Sequence, residues 1–570
     1  MILPGSDKAI AELAKDVIAD CSASRSSRNS LYQSLTTWLD QGKGDGDRSL
    51  CNTLYHHCDR LSAHLFSPTE LRFTVDFDTP YDEGILAQGE LAARLLSRAW
   101  EQKNIDMMFS HAVSCAVPFG TAILKQQWDR VAVSARVLMP WQFSVYREDL
   151  NSLDEQEALC ETSLMTLSEV WRRISHLPDA RSLYKRIEAH AATCGTTSDV
   201  APSSFFHQIL STSTLDTSGN PNASPRPGGI VTLSNPSYII NPTVTIALVK
   251  YHELWVKDEE MDDYTTIQLI EPDILLSPIG RRKNLMGARP PLPKEDKSPS
   301  PSPCRQMHPY TLVQPNVNQG YIWGRSEMTD LIGPQELLTT LLADIRRIMG
   351  VQFDKLLGFI GCDGMTDERY AQYRGSGFFD LPNGASVNDL TPKLPEATFQ
   401  YFNLISKLME QISGFDNILS GQGEAGVRAG VHADTLVRTA SPRLRDRSLL
   451  IERQCAEAAD KTLRLMQAYD DTVYRTNDPK APSEFVLCQL PEDAKVTVDS
   501  HSSSPIYEQD HKDLIGFGVK YGIVDGESAI DMLPFPKKDQ LKQRYRAAQA
   551  AKAAMIQRHP ELLTHGKHKE

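Results

Sequence analysis

The chain has 570 residues, and its hydrophobic share of 41% is ordinary for a globular protein with several cores. Its net charge of −13 argues against a protein that grips DNA tightly, because neutralising phosphates requires a basic surface. No apolar run approaches 18 residues and the first residues lack a basic region followed by an apolar core, so we expect neither a membrane span nor secretion.

Residues 1–117 are predicted to be mainly helical, ending at Pro118 and Gly120, because LAARLLSRAW and residues 105–117 have helical apolar spacing. The ten cysteines are scattered without a CxxC pair, which favours reduced thiols in the cytosol. One local cluster, CNTLYHHCDRLSAH, could hold a metal or could be a helix that buries three leucines beside a free thiol, and we favour the helix. The cluster comprises Cys51, His56, His57, Cys58 and His64, with Leu54, Leu61 and Leu65 as the leucines.

The next region is predicted to change from strands to a helix. TAILKQQW and RVAVSARVLMPWQFSVY are rich in valine and aromatic residues, which is typical of strands, and Pro140 bounds them. MTLSEVWRRISHL predicts a helix with Thr166 or Ser168 as its cap and Pro178 as its stop.

The middle of the chain contains two segments of loop-like composition. Residues 195–242 are crowded with Ser, Thr, Asn, Pro and Gly, which predicts a long loop or disorder, and ARPPLPKEDKSPSPSPC is a second such segment. Between them, TVTIALVKYHELWV and YTTIQLI predict two strands joined by the acidic turn KDEEMDD. We therefore expect a small projecting β unit here.

From Tyr321 the helical pattern returns. GRSEMTDLIGPQELLTTLLADIRRIMGVQFDKLLGF predicts one long helix with Ser326 as its cap and Pro334 near its first turn. GFFDLPNGASV predicts a β hairpin that turns at Asn383 and Gly384.

A second long helical region is predicted from Val431 to Ala468, kinked or split at Ser441-Pro442. Its later part has an apolar stripe with helical spacing. The stripe comprises Ile451, Cys455, Ala458, Ala459, Thr462, Leu465, Met466 and Tyr469. LKQRYRAAQAAKAAMIQR predicts a final basic, alanine-rich helix.

Gly421, Gly423 and Gly426 in SGQGEAGVRAGVHA have the G-x-G-x-x-G spacing of dinucleotide-binding loops. A phosphate-binding loop of that type follows a buried strand and opens a helix. Here the preceding TFQYFNLISKLMEQI has the apolar spacing of an amphipathic helix, and Glu424 would place a carboxylate in the loop. We therefore interpret the glycines as a flexible link between two helices.

Five arginines follow the glycine loop, and they could contact DNA phosphates, pair with acids of the same chain or a neighbouring subunit, or lie on a solvated helix face beside Asp434 and Asp446. Ion pairing is favoured because the rest of the chain is acidic. The arginines are Arg428, Arg438, Arg443, Arg445 and Arg447, with Arg443 and Arg447 on one helical face.

The sequence has no positive signal for an enzyme. It contains no Walker loop, no HExxH and no G-x-S-x-G elbow, and its carboxylates form no compact cluster with histidines. We expect no catalytic residue, no cofactor and no metal.

The order of elements resembles the portal proteins, or head-to-tail connectors, of tailed bacteriophages, in particular those of short-tailed phages. The resemblance rests on GYIWGRSEMTDLIGPQELLTTLLADIRRIM, FDKLLGFIG and SGFDNILSGQGEAGVRAGVHADTLVRTASPRLRDRSLLIERQ, with LMPWQFSVYREDLNSLDEQEALCETSLMTLSEVWRRI upstream. It runs, with gaps, from about residue 110 to 470. It implies an α+β, mainly helical portal fold with wing, stem, clip and crown regions, assembled as a ring of twelve subunits around a channel for double-stranded DNA.

On that plan the chain divides into six regions. Residues 1–162 are an N-terminal wing part of helices and strands, and residues 163–195 a first stem helix region. Residues 196–325 are the clip with its β unit and flexible inserts, and residues 326–358 the second stem helix. Residues 359–470 are a wing part with the hairpin, the glycine loop and the long helix. Residues 471–570 are a C-terminal wing or crown region and tail.

The resemblance also implies partners and a location. The expected partners are further copies of the chain, passing double-stranded DNA, the terminase that hydrolyses ATP, a tail adaptor, and the major capsid and scaffolding proteins, with no membrane. The expected location is the portal vertex of a virion, after synthesis in the host cytoplasm. The three glycines and five arginines named above are the candidate channel or inter-subunit residues. The alternatives are a helical scaffold or adaptor without a channel, or a nucleotide-binding enzyme that uses residues 421–426.

Overall fold

The structure is a computed structural model with both helices and strands, and the strands pair antiparallel with one exception, so the predicted α+β class is confirmed. Apart from short internal gaps, it describes residues 1–193, 198–200, 229–233, 244–276, 304–361, 383–414, 442–475, 484–498, 515–530 and 541–549.

The longer helices are, in chain order, α1 (Asp7–Gln41), α2 (Thr53–Leu65), α3 (Glu83–Gln102), α4 (Ile105–Phe119), α5 (Leu167–Ile174), α6 (Ala180–Thr193), α7 (Ile332–Phe353), α8 (Ala397–Ser413) and α9 (Pro442–Tyr469). The strands are β1 (Phe73–Phe77), β2 (Ala122–Asp129), β3 (Ala132–Leu138), β4 (Phe143–Val145), β5 (Ala158–Thr166), β6 (Ser198–Val200), β7 (Gly229–Leu233), β8 (Val244–Asp258), β9 (Asp263–Ile270), β10 (Ile274–Leu275), β11 (Tyr310–Val313), β12 (Leu357–Ile360), β13 (Ser386–Asp389), β14 (Tyr474–Arg475), β15 (Glu484–Phe485) and β16 (Ala494–Val498).

Two sheets organise the centre of the molecule. The larger one has seven strands in the order β10-β9-β8-β5-β4, with β7 also paired to β8 and β6 to β7. The smaller one has three strands in the order β11-β2-β3. Two-stranded ribbons join β1 to β16, β12 to β13 and β14 to β15, so segments far apart in the chain are tied together.

Local sequence signals explain several element ends. Thr166, one of the two predicted caps, caps α5 in a reciprocal capping box with Glu169. Gly120 ends α4 with a φ of 81°, and a Cβ at this position would lie 2.3 Å from the Gly324 carbonyl oxygen. Only glycine allows this close approach between the end of α4 and the segment that leads to α7.

Helix α9 passes through the main hydrophobic core. The predicted stripe is confirmed, since Ile451, Cys455 and Leu465 are among its fully buried members. Thr462 on this stripe accepts hydrogen bonds from the indole Nε1 of Trp100, at 3.1 Å, and from the Nε2 of Gln126, at 2.8 Å. The stripe therefore joins α3, β2 and α9 by polar as well as apolar contacts.

The packing of α2 follows the favoured interpretation of the cysteine and histidine cluster. Leu54, Cys58, Leu61 and Leu65 are buried along one side of the helix. Burial, and next to it the charge of Glu327, raises the pKa of the Cys58 thiol to about 12, so this thiol is neutral at physiological pH. Within the described ranges, no three histidine, cysteine or acidic side chains converge as metal ligands would.

Several sequence predictions differ from the structure. Strand β1 lies inside the region predicted to be helical, and β6 and β7 lie inside the stretch predicted to be a loop. The two strands of the predicted small β unit are β8 and β9, but β8 also pairs with β5 over residues 248–256, so the unit is part of a larger sheet. The predicted boundary between residues 162 and 163 falls within β5. The pairing of β8 with β5 depends on contacts between segments that are distant in the chain, and the periodicity of a sequence does not reveal such contacts.

Candidate assembly surface

Helix α7 is anchored at its N-terminal end by buried polar contacts. It begins at Ile332, six residues after the predicted cap Ser326, whose hydroxyl instead donates to the Pro118 carbonyl. The Nε2 of buried Gln335 donates to the Cys51 carbonyl at 2.7 Å, and the Thr339 hydroxyl lies 3.0 Å from that of Ser49. These contacts fix the first two turns of α7 to the segment between α1 and α2.

The remainder of α7 is only partly covered. After Thr339, no side chain of α7 that the structure describes is buried, although Leu341, Leu342, Ile345 and Ile348 give this part an apolar face. An apolar helix face gains stability mainly from packing against another element. The long helix was predicted from its leucines, but its incomplete burial was not.

Helix α8 packs against α7 and has an apolar surface that the described part of the chain covers on one side only. Ile405 is buried, and Met409 and Ile412 pack against the main core. The adjacent positions 401, 404 and 408 lie together on the helix because they are separated by three and four residues. The side chains of Tyr401, Leu404 and Leu408, which we name the α8 stripe, are 44%, 61% and 41% exposed.

The β12–β13 ribbon, which follows α7 and precedes α8, adds two exposed apolar side chains, Ile360 and Leu390. Gly384 has a φ of 92°, in agreement with the predicted turn at Asn383-Gly384. The strand after this turn pairs with Leu357–Ile360, a partner that the sequence did not predict. Residues 377–382, the predicted first strand of the hairpin, lie outside the described residues.

Arg447 joins α9 to the segment that enters α7. Its Nη2 lies 2.8 Å from Glu327 Oε1, and both side chains are largely buried. Asn316 donates to the same carboxylate, and the Glu327 backbone N–H donates to the Val117 carbonyl at 3.2 Å. Pairing within the chain, one of the alternatives for the arginines, is therefore found for Arg447.

The pKa of His57 on α2 is affected by burial and by Arg447, which forms the junction between α9 and the segment that enters α7. Burial, together with the positive charges of Arg447 and Arg60, lowers this pKa to about 4. His57 is accordingly neutral in the folded chain at physiological pH. Acidification would add a proton beside a buried arginine, which gives the junction a defined sensitivity to low pH.

The other candidate residues are only partly within the described ranges. Gly421, Gly423, Gly426, Arg428 and Arg438 lie outside them. Arg443 lies in the first turn of α9, with its side chain outside the description, and Arg445 is exposed on the same helix. The element before the glycine loop is the helix α8, as predicted, so the strand that a dinucleotide-binding loop requires does not precede it.

A buried charged cluster between the two sheets was missed at the sequence level. Lys125 Nζ of β2 lies 2.7 Å from Glu161 Oε2 of β5 and 2.5 Å from Glu253 Oε1 of β8. Arg136 of β3 also bonds to Glu161, and the Tyr310 hydroxyl of β11 donates to it at 3.1 Å. Each strand of the smaller sheet thus contributes a group to a carboxylate of the larger one.

The cluster holds the Glu253 carboxylate ionised despite its full burial. Burial alone would raise the pKa of Glu253, but the charge and hydrogen bond of Lys125, together with the Trp255 indole N–H, lower it to about 2. The sequence signal that could have revealed the cluster is a charged residue directly after the apolar start of a strand, as Lys125 is after Ala122–Leu124.

None of the helices within the described ranges is both long and apolar enough to cross a bilayer. Comparison with protein-family models gives no match, and comparison with curated proteins gives none either. Among solved structures, the chain is similar to one in the virion of a native gene transfer agent particle. The similarity has a TM-score of 0.38 at 8% identity and covers 85% of this chain and 89% of the other, a level too distant to support an inference.

Proposed function

We propose that this protein is the portal subunit of a tailed-phage type of capsid. Copies of the chain close into a ring of twelve at one vertex, double-stranded DNA passes through the ring during packaging and ejection, and the ring docks the terminase and the tail adaptor. The proposal starts from the portal-like order of sequence elements. The observation that supports it most directly is the incomplete burial of α7 and α8.

The α8 stripe supports a ring because its apolar side chains are exposed to solvent in a single subunit. Exposed apolar side chains that are grouped on one helix are typical of protein interfaces. Since the buried polar anchors described above lie at the N-terminal end of α7 and the rest of the helix is partly covered by α8, the two helices together offer a surface to the next copy. A contact between different surfaces of two copies generates a ring when the rotation closes.

The net charge supports a passage through which DNA slides. Twelve copies at −13 each carry −156 formal charges. Where such charges face a channel they repel the phosphate backbone, so a duplex would pass without being held. Tight DNA binding would instead need a basic surface and would depend steeply on salt.

The proposal assigns no catalysis to this chain. The ATP hydrolysis that drives packaging would belong to the terminase, and the glycines at 421–426 would link α8 to α9. Titration of the purified protein with fluorescent ATP and NAD tests this part, and we expect no saturable binding. Micromolar binding that Gly423→Val abolishes would favour a nucleotide-dependent enzyme instead.

Electron microscopy of the purified protein in negative stain tests the ring itself. We expect annular particles with a central hole wide enough for a DNA duplex. Filaments would indicate a scaffold whose subunit contacts do not close, and compact particles without a hole would indicate an adaptor. Either result would contradict the proposal.

A further inference from the structure

A cleft on the body of the subunit is unrelated to the surface of α7 and α8. It lies between α3, the β2–β3 hairpin and the C-terminal end of α9, and its volume is about 320 Å³. This volume is at the lower end of the range for pockets that bind ligands in proteins. Its apolar lining includes Leu95, Ala99, Trp128, Val133 and Met466.

Trp128 provides a flat apolar wall for the cleft. Its ring stacks on Tyr469 of α9, with centroids 5.6 Å apart and planes 17° from parallel. A tryptophan held by stacking presents a large apolar surface without losing side-chain entropy when a ligand arrives. The cleft is therefore preorganised for an apolar or aromatic group.

Two cationic side chains, Arg98 and Lys103, and one carboxylate, Asp470, also line the cleft. Of the three side chains, only the carboxylate has hydrogen-bond partners among the described residues. The Asp470 carboxylate accepts from the Tyr474 hydroxyl at 2.7 Å and from the Thr472 backbone N–H at 3.1 Å. Arg98 and Lys103 are exposed, and no ion pair joins either one to an acid within the described part of the chain. The lining therefore has two cations against one hydrogen-bonded carboxylate, a net positive charge that attracts an incoming carboxylate.

The mouth of the cleft continues into exposed apolar surface. Val131, at the turn between β2 and β3, lines the cleft and is 82% exposed. Val473, next to the lining residue Tyr474, is 53% exposed. An occupant that extends beyond the cleft would cover these side chains, which a small molecule confined to the cleft would not.

We propose that this cleft is a docking site for an acidic peptide segment of a partner protein. One apolar side chain of the segment enters against Trp128, and neighbouring carboxylates meet Arg98 and Lys103. A nucleic acid fits less well, because two cations are few for a phosphate backbone on an acidic subunit. The cleft lies within a single subunit, so docking does not depend on ring formation.

Fluorescence anisotropy of a labelled peptide tests the proposal. The probe is a fluorescein-labelled hexapeptide of sequence DELFDE, and its comparators are KKLFKK, with reversed charge, and DEGSDE, without apolar side chains. We expect saturable binding of the first probe only. Equal binding of all three peptides, or no binding of the first at millimolar protein, would overturn the proposal.

Substitutions in the cleft test whether the peptide binds there. Arg98→Glu combined with Lys103→Glu should weaken binding tenfold or more by replacing two attractions with repulsions. Gln102→Trp, at an exposed lining position, should block the cleft without disturbing the core. The matched control is Arg94→Glu, one turn earlier on α3, where the exposed arginine pairs with Glu90 and does not line the cleft.

Arg94→Glu should leave the affinity within twofold of wild type. Affinity that survives both Gln102→Trp and the double charge reversal would place the peptide elsewhere and overturn the proposal. Urea unfolding of each variant checks that the fold is retained, and the two independent changes keep the test decisive if one variant is unstable.

Discussion

The Arg447 guanidinium of α9 and the Glu327 carboxylate lie 2.8 Å apart, with 17% and 7% of their side chains exposed. They are separated by more than a hundred residues and join the core helix to the segment that leads into α7. A buried pair whose members are removed one at a time leaves an uncompensated charge, which is strongly destabilising. This contact therefore holds the base of α7 in place.

We expect Arg447→Ala to lower the free energy of unfolding by about 3 kcal/mol, because Glu327 would remain buried without its cation. Arg445→Ala, two residues away at an exposed position, should change it by less than about 0.5 kcal/mol. Urea unfolding followed by circular dichroism measures both. Equal effects of the two substitutions would show that the Arg447–Glu327 pair makes no specific contribution to the free energy of unfolding.

Lys125→Met should destabilise the chain by about 3 to 5 kcal/mol, since Glu161 and Glu253 would lose the cation between them and keep only the outer pairs with Arg136 and Arg173 among the described residues. The control is Arg147→Met, which breaks an exposed pair with Asp149 and should have a much smaller effect, because water screens that pair. Urea unfolding at pH 7 compares them. A small effect of Lys125→Met would mean that water or rearrangement compensates the two carboxylates.

His57 should make the folded state sensitive to acid. Its pKa is lowered to about 4 in the folded chain, so the unfolded chain, with a pKa near 6.5, binds the proton first as the pH falls. The stabilisation of the folded state by neutral His57 is complete above pH 6.5 and is lost as the pH falls towards 4. The resulting loss of unfolding free energy amounts to about 2 kcal/mol between pH 7 and pH 5. His57→Gln should reduce the measured loss of unfolding free energy over this interval, whereas an identical loss in both proteins would contradict the assignment.

The α8 stripe yields a prediction about assembly. Leu404→Glu or Leu408→Glu should prevent oligomers while leaving the unfolding of the subunit nearly unchanged, because these side chains are 61% and 41% exposed. Asn403→Glu adds the same charge on the opposite side of α8 and should leave assembly intact. Size-exclusion chromatography with light scattering measures the oligomers.

The same variants identify what covers the stripe. If Leu404→Glu lowers the stability of the subunit and leaves oligomers unaffected, another part of the same chain covers α8. That outcome would remove the main support for the ring.

Periodicity predicted the elements whose burial pattern is local. The apolar residues of TFQYFNLISKLMEQI gave α8, and the stripe from Ile451 to Tyr469 gave the buried side of α9. Thr166, one of the two caps predicted for α5, is the cap found, and its partner Glu169 is three residues away. In each case the interacting residues lie within a few turns of one another.

Long-range pairing could not be predicted in this way. The partners Glu327 of Arg447 and Glu161 of Lys125 are set by the tertiary fold, as is the pairing of β8 with β5. The exposure of the α8 stripe is likewise invisible in the sequence, because Leu404 and Ile405 are both apolar and only the fold decides which is covered.

Native mass spectrometry of the purified wild-type protein tests the ring most directly. We expect a closed oligomer of twelve copies, about 760 kDa for a subunit of 63.6 kDa, or one copy more in purified rings. A subunit that stays at 63.6 kDa over the whole accessible concentration range would contradict it.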